Sequence, residues 1–252
     1  MMSFRDDFNT LDTNVWEIVS TLPSGNSVDV YNGYLRINLD LDRDQHGVIG
    51  IRRIGAFDLI GKRIVFTPLF TRDYSYIQAN FGVIVTNAPY EQQPSYLRGF
   101  GYFLRGHGTL LKELATWYIY GTTLGIGVIP CYEYPPKLVI DISPNGAYIY
   151  LGDNPIDYRM VTFDAKNSYL QLFADVTADE TDTTQLLADY VEVSSVVIPE
   201  TTPYLSAGAT AEMPIFPPGT LPTLFSALMT PLVGNAFVSM AEGIRKPPPK
   251  GR

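Results

Sequence analysis

"VDVYNGYLRINLD", residues 28–40, consists of two alternating runs joined by Asn32-Gly33. Val28 and Val30 alternate with Asp29 and Tyr31. Leu35, Ile37 and Leu39 alternate with Arg36, Asn38 and Asp40. A period of two marks a strand with one apolar face. Asn-Gly supplies the two positive-φ residues of a type I′ turn, whose twist suits a two-residue hairpin. The stretch is a β-hairpin, and strand signals continue on both sides of it.

Upstream, "WEIV" (16–19) is a short, partly alternating run. Downstream come "VIGIRRI" (48–54), "KRIVFTPLF" (62–70), "YIQANFGVIV" (76–85) and "SYLRGFGYFLRG" (95–106). In "YIQANFGVIV" one face reads Ile77, Ala79, Phe81, Val83 and the other Tyr76, Gln78, Asn80, Gly82. "LLKELATWYIYG" (110–121) fits two patterns. Leu110, Leu111, Leu114 and Tyr118 would share a helical face, but its Thr, Trp, Tyr and Ile content favours a strand. Pro144-Asn145-Gly146 and Gly152-Asp153-Asn154-Pro155 punctuate a hairpin series over 137–163. "YLQLFADVT" (169–177) and "LLADYVEVSSV" (186–196) close the run, with "ADETDTTQ" as a polar acidic loop between them.

Composition agrees with β structure. Of 252 residues, 17% are charged, against roughly 25% in typical globular chains. Tyr, Gly and Pro number 17, 21 and 19, a balance of aromatics and turn-formers. The net charge is −8 and no basic stripe exists, which argues against a nucleic-acid partner. Cys131 is the lone cysteine, so no disulfide can form within one chain. It reads as a small hydrophobe rather than a nucleophile. "MMSFRDDFNTLD" has no apolar core of a secretory signal, so the expectation is a protein made in the cytoplasm.

The character changes near Ile198. Residues 198–222 are rich in Pro and Thr and read as an extended arm. Residues 223–252 begin with the almost uncharged "TLFSALMTPLVGNAFVSMA" (223–241) and end in the basic "IRKPPPKGR". The apolar part has about the length of a membrane span. Pro231, Gly234 and Asn235 make it a better pair of short helices. Contact with other subunits of an assembly through 199–252 ranks first, packing on the same chain second and membrane contact third.

Three stretches resemble the concanavalin A-like lectin/glucanase superfamily, which includes laminin-G-like domains. They are "FRDDFNTLDTNVWEIV" with "VDVYNGYLRI", "PKLVIDISPNGAYIYLGDNPI", and "YLQLFADVTADETDTTQLLADYVEV". The resemblance implies an all-β fold: a two-sheet antiparallel jelly-roll sandwich over residues 1–197. The C-terminal extended arm and short helical apolar tail fall outside it.

The superfamily includes glycoside hydrolases with a Glu-x-Asp-x-Glu strand, because retaining hydrolysis needs two carboxyls about 5 Å apart. The nearest match is Glu180-Thr181-Asp182-Thr183-Thr184, where Thr184 replaces the third carboxylate. It reads as a solvated acidic turn. Asp175, Asp179, Glu180 and Asp182 could hold one calcium ion, although their spacing matches no defined loop. His46 and His107 are too few for a zinc site. No Gly-x-Ser-x-Gly elbow occurs. The glycines of "RGFGYFLRGHG" (98–108) relieve crowding in a sheet rather than bind phosphate.

Glycan-binding members of the superfamily set aromatic rings and amides on a sheet face or its edge loops. Tyr76, Gln78 and Asn80 share a side of one strand, Tyr169 and Gln171 (with Asp175 of the same parity) of another, and Glu113 and Trp117 of a third, with Arg105 near. They are the glycan-binding candidates, and solvent or another protein surface could equally cover them. No catalytic residue is assigned. The expected function is a non-enzymatic structural or surface protein of a large assembly such as a virus particle. Its jelly roll is anchored by the arm and able to bind cell-surface polysaccharide. The alternative is a glycoside hydrolase or polysaccharide lyase of the same fold.

Overall fold

The computed structural model describes residues 3–71, 75–107, 109–120, 123–131, 135–144, 146–159 and 165–197. The expectations for the arm at 198–222 and the tail at 223–252, including subunit and membrane contact, lie outside the described residues.

The chain forms fifteen described strands: β1 Phe4–Asp6, β2 Trp16–Ser20, β3 Ser27–Tyr31, β4 Tyr34–Leu41, β5 His46–Arg53, β6 Lys62–Phe70, β7 Ile77–Thr86, β8 Arg98–His107, β9 Thr109–Tyr120, β10 Thr123–Pro130, β11 Leu138–Ser143, β12 Gly146–Leu151, β13 Asn154–Arg159, β14 Tyr169–Ala178 and β15 Asp182–Ser195. One sheet runs β13-β12-β11-β6-β15-β4-β3. Strand β1 extends it, pairing with β15 at Val191–Val193 beyond the stretch that β4 occupies. The other sheet runs β10-β9-β8-β7-β14-β5-β2. Every pairing is antiparallel. The two-sheet sandwich is the expected fold.

Local chemistry sets the turns. Asn32 and Gly33 adopt φ of 53° and 78°, closing β3 onto β4 as the type I′ geometry requires. Between β11 and β12, Ser143 Oγ donates to the Gly146 carbonyl (2.9 Å) and accepts its N–H (3.0 Å). The "LLKELATWYIYG" ambiguity resolves as strand β9, whose neighbours β8 and β10 satisfy its backbone on both sides.

Between the sheets lies the main core. Phe66 of β6 meets Phe81 of β7 edge to face, with ring centroids 5.4 Å apart. Both are fully buried, and burial of each such ring stabilises by about 1.5–3 kcal/mol. Trp16 donates from Nε1 to Asp6 at 2.7 Å, and Asp6 also accepts the Phe8 N–H at 2.9 Å. That carboxylate ties the entry segment to the sandwich.

The expected acidic loop is much shorter than its composition suggests. Only residues 179–181 form the β14–β15 turn, and Asp182 begins β15. Its carboxylate accepts from Ser75 Oγ (2.8 Å) and the Tyr76 N–H (2.9 Å), so it holds the entry to β7. A carboxylate with such local partners can open a strand despite its low β-propensity.

Candidate functional site

The outer face of the seven-stranded sheet is set by parity. In β7 the core takes Ile77, Ala79, Phe81, Val83 and Val85, so Gln78, Asn80, Gly82, Ile84 and Thr86 face outward. Register aligns these with neighbours in rows across the strands. One row reads Trp117, Gly101, Ile84, Gln171, Arg52, Glu17. The next reads Ala115, Phe103, Gly82, Phe173, Gly50, Val19. The third reads Glu113, Arg105, Asn80, Asp175, Val48. Beyond it stand Gln78, Thr177 and His46.

The first two rows are covered. The β7–β8 connection, residues 87–97, folds over them and carries a short 3-10 turn at Tyr90–Gln92. Ala88, Tyr90 and Leu97 from this cap join Val48, Ile84, Phe103, Ala115, Trp117, Ile119 and Phe173 in a second apolar cluster. Tyr90 stacks on Phe173, with centroids 5.1 Å apart and planes at 29°. Gln171 anchors the cap: with its oxygen turned toward β7, Oε1 accepts the Tyr90 N–H at 3.2 Å and Nε2 donates to Glu91 at 3.2 Å. Thr86 Oγ1, 3.1 Å from that oxygen, donates to the Ala88 carbonyl at 2.6 Å. Arg52 adds a charged latch, bonding Glu91 of the cap through one arm and Glu17 of β2 through the other, at 2.8 Å for Glu17. Glycine permits the close strand approach beneath: a Cβ on Gly82 would fall on the Tyr102 carbonyl oxygen and within 2.7 Å of Phe103 Cα.

Apart from Val48, the third row and the residues beyond it stay open. Asn80, Arg105, Glu113 and Asp175 are half-buried, and Thr177 and His46 are exposed. With its oxygen turned toward the guanidinium, Gln78 accepts from Arg105 Nη2 (2.6 Å) and Nε (3.1 Å). Glu113 lies 3.8 Å from Arg105 Nη1. Asp175 and Asn80 make no side-chain hydrogen bond among the described residues. Burial pushes the Asp175 carboxyl up to about 6, against the pull of the nearby His46 imidazole. From β9 to β14 the open part of the row crosses three strand gaps, about 14 Å at 4.7–4.9 Å each. That is room for a short oligosaccharide.

The eight glycan-binding candidates divide between these two zones. Gln78, Asn80, Arg105 and Glu113 come together in the open strip, and Tyr76 stands 44% exposed at its β7 end. Trp117 (2% exposed) and Gln171 (1%) lie under the cap. Tyr169 is half-buried at the start of β14, its ring 5.9 Å from the Arg52 guanidinium. Tyr90, Phe103, Phe173 and the Arg52 latch were not singled out in the sequence. Phe103 and Phe173 carried a signal, each being a large apolar residue at outward parity.

The four calcium candidates are not brought together. Asp175 sits mid-sheet on the outer face, Asp182 holds Ser75 and Tyr76, and Glu180 pairs with Arg43 at 3.6 Å. Among the described residues no group of three or more His, Cys, Asp or Glu could hold a metal. Cys131 is half-buried and packs against the main core.

No family model matches the sequence, and no curated protein matches it. Solved structures do. An immunostimulatory antigen and pseudo β-1,3-glucanase of Mycobacterium tuberculosis is similar with a TM-score of 0.55 and 14% identity, covering 77% of this chain and 98% of that one. The β-glucanase of Bacillus licheniformis gives 0.57 and 12%, covering 77% and 99%. A β-1,3-1,4-glucanase from a mouse hindgut metagenome gives 0.56 and 10%, covering 78% and 100%. The chain has the concanavalin A-like jelly-roll fold.

These similarities correct one expectation. The structures that match include β-glucanases, a pseudo β-1,3-glucanase and a structure described with endo-acting O-glycanases. They overturn the expected non-enzymatic structural protein of a virus particle. The lack of a contiguous Glu-x-Asp-x-Glu strand does not by itself exclude catalysis. Titratable groups reach this face from separate strands, which a contiguous motif does not capture.

Proposed function

We propose that the chain is a glycan-degrading enzyme that binds an oligosaccharide along the open strip and cleaves it beside Asp175. The observation that carries this is Asp175 itself. It is a half-buried carboxyl raised to about 6, without a hydrogen-bond partner among the described residues, on the open part of the sheet face. A carboxyl tuned near the working pH can give and take a proton. Asn80, directly across from it, and Arg105, held by Gln78 and Glu113, supply the donors that orient sugar hydroxyls.

Hydrolysis is the first reading, supported by the similarity to β-glucanases. Glu113 stands three strand gaps from Asp175, about 14 Å, so it serves binding rather than the 5 Å retaining pair. A raised carboxyl with a guanidinium two strand gaps away, about 10 Å, favours a second reading, elimination from a uronate. There Arg105 would offset the substrate carboxylate while Asp175 takes the C5 proton and returns it to the leaving oxygen as the C4–O bond breaks.

Incubation of the full chain with mixed-linkage β-1,3-1,4-glucan and with a soluble polyuronate tests both. New reducing ends without ultraviolet absorbance mark hydrolysis, and new reducing ends with the absorbance of an unsaturated uronate mark elimination. Either activity should vanish in Asp175→Asn. No cleavage of any glycan in a broad panel would remove the proposal.

A further inference from the structure

Strand β14 carries three outward residues in succession, Gln171, Phe173 and Asp175, and Tyr90 of the cap lies against the first two. Its backbone N–H bonds Gln171. Its ring stacks on Phe173. Strand geometry places the next outward side chain, Asp175, about 7 Å from Phe173 along the strand. The buried ring ends in a hydroxyl that bonds no described residue and is not sealed from solvent. Burial, and after it the Asp175 carboxyl, hold that phenol protonated by pushing its pKa up. Asp175 is close enough for its charge to act on the phenol, and neither group has a hydrogen-bond partner among the described residues.

We infer that Tyr90 is a substrate-positioning residue, its hydroxyl binding the sugar unit that Asp175 acts on. This rests on the glycan-degrading reading of the strip. A phenol fixed by stacking loses little freedom on binding, so its hydrogen bond works at low entropic cost. The cap then does two things: it seals the aromatic rows, and it presents one donor to the cleavage point. Because the ring is clamped over Phe173, the substrate backbone must enter alongside the cap rather than across it. The site therefore accepts a chain laid along the Glu113–Asp175 row, and Tyr90 sets the position of one unit in it.

Tyr90→Phe tests this in the full chain, since it keeps the stack and removes only the hydroxyl. The probes are mixed-linkage β-1,3-1,4-glucan and the soluble polyuronate. The expected result is a fall in kcat/KM of about tenfold on whichever is cleaved, carried mainly by KM, with an unchanged melting temperature and an unchanged pH midpoint. Calorimetric binding to the Asp175→Asn protein, with and without Tyr90→Phe, should show the same tenfold loss without turnover. If the native protein cleaves a probe and Tyr90→Phe matches it, the inference falls and the glycan reading stands. If the native protein neither binds nor cleaves either probe or any glycan of a broad panel, both fall.

Discussion

Asn80 and Asp175 stand directly opposite each other on β7 and β14, and neither side chain has a hydrogen-bond partner among the described residues. Opposed side chains on adjacent strands lie about 4.5–5.5 Å apart at Cβ, so a single ligand atom can meet both. An amide beside a raised carboxyl presents a donor and a proton carrier to the same point. Gln78, Arg105 and Glu113 are tied to one another and Gln171 and Arg52 to the cap, whereas Asn80 and Asp175 are left for something else to satisfy.

Asp175 gives a pH dependence with a definite sign. Its ordinary value is 3.8 and in the folded protein it is about 6, so folding disfavours the ionised form. Stability from this group is greatest below about pH 4, declines as pH rises to about 6, and is flat above. Asp175→Asn removes the penalty. At neutral pH the variant should be more stable by about 2 kcal/mol, less than the roughly 3 kcal/mol of the full shift because the group is partly solvated. Below about pH 4 the gain should disappear. Urea titrations at several pH values read this directly, and equal stability of the two proteins across the range would exclude the shifted carboxyl.

Arg52 should prove the latch of the cap. Its side chain is 10% exposed and divides its bonds between Glu17 and Glu91. Arg52→Ala leaves Glu91, itself 16% exposed, without its cation. The cost should be about 2–4 kcal/mol, below the range for a fully buried pair because Glu17 is 54% exposed. Amide exchange should accelerate in residues 87–97 more than in β14. Uniform acceleration over both would mean the cap is not held by this pair.

The fold was legible because its signals are local. Asn32-Gly33 and the alternation of Leu35, Ile37 and Leu39 depend only on neighbours in sequence. The site was half legible. Parity alone brought Gln78, Asn80, Arg105 and Glu113 to one face, and they do meet there. Parity also chose Trp117 and Gln171, and nothing in their own strands says that residues 87–97 fold over them. That depends on Tyr90 reaching Phe173, 83 positions away in the chain. The raised carboxyl of Asp175 was hidden for the same reason, since burial belongs to the assembled sheet.

Gly82 should tolerate no side chain. Its added Cβ would strike backbone of β8, the Tyr102 carbonyl and Phe103 Cα, rather than a flexible side chain. Strand separation cannot open without breaking the β7–β8 ladder on both sides. Gly82→Ala should cost at least about 3 kcal/mol, well beyond an ordinary overpacked methyl. Denaturant unfolding checks it. A loss under about 1 kcal/mol, near the range of surface substitutions, would show that the strands lie further apart.

Trp117 separates a structural ring from a sugar platform. Aromatic residues on a glycan-facing sheet ordinarily serve by stacking, but Tyr90 lies 6.3 Å from this ring and Phe103 4.3 Å. Its Nε1 is buried without a partner among the described residues, a cost that packing must outweigh. Trp117→Ala should therefore act on stability, losing about 3–5 kcal/mol through the cavity it leaves. Affinity for any glycan that binds the strip should stay within about twofold at a temperature where the variant remains folded, because the open row begins beyond the cap. Arg105→Ala should behave in the opposite way, weakening glycan binding about tenfold or more with little loss of stability, since its side chain is 33% exposed and reaches the strip. If instead Trp117→Ala abolishes binding while the fold survives, the cap opens in the complex and the aromatic rows belong to the site.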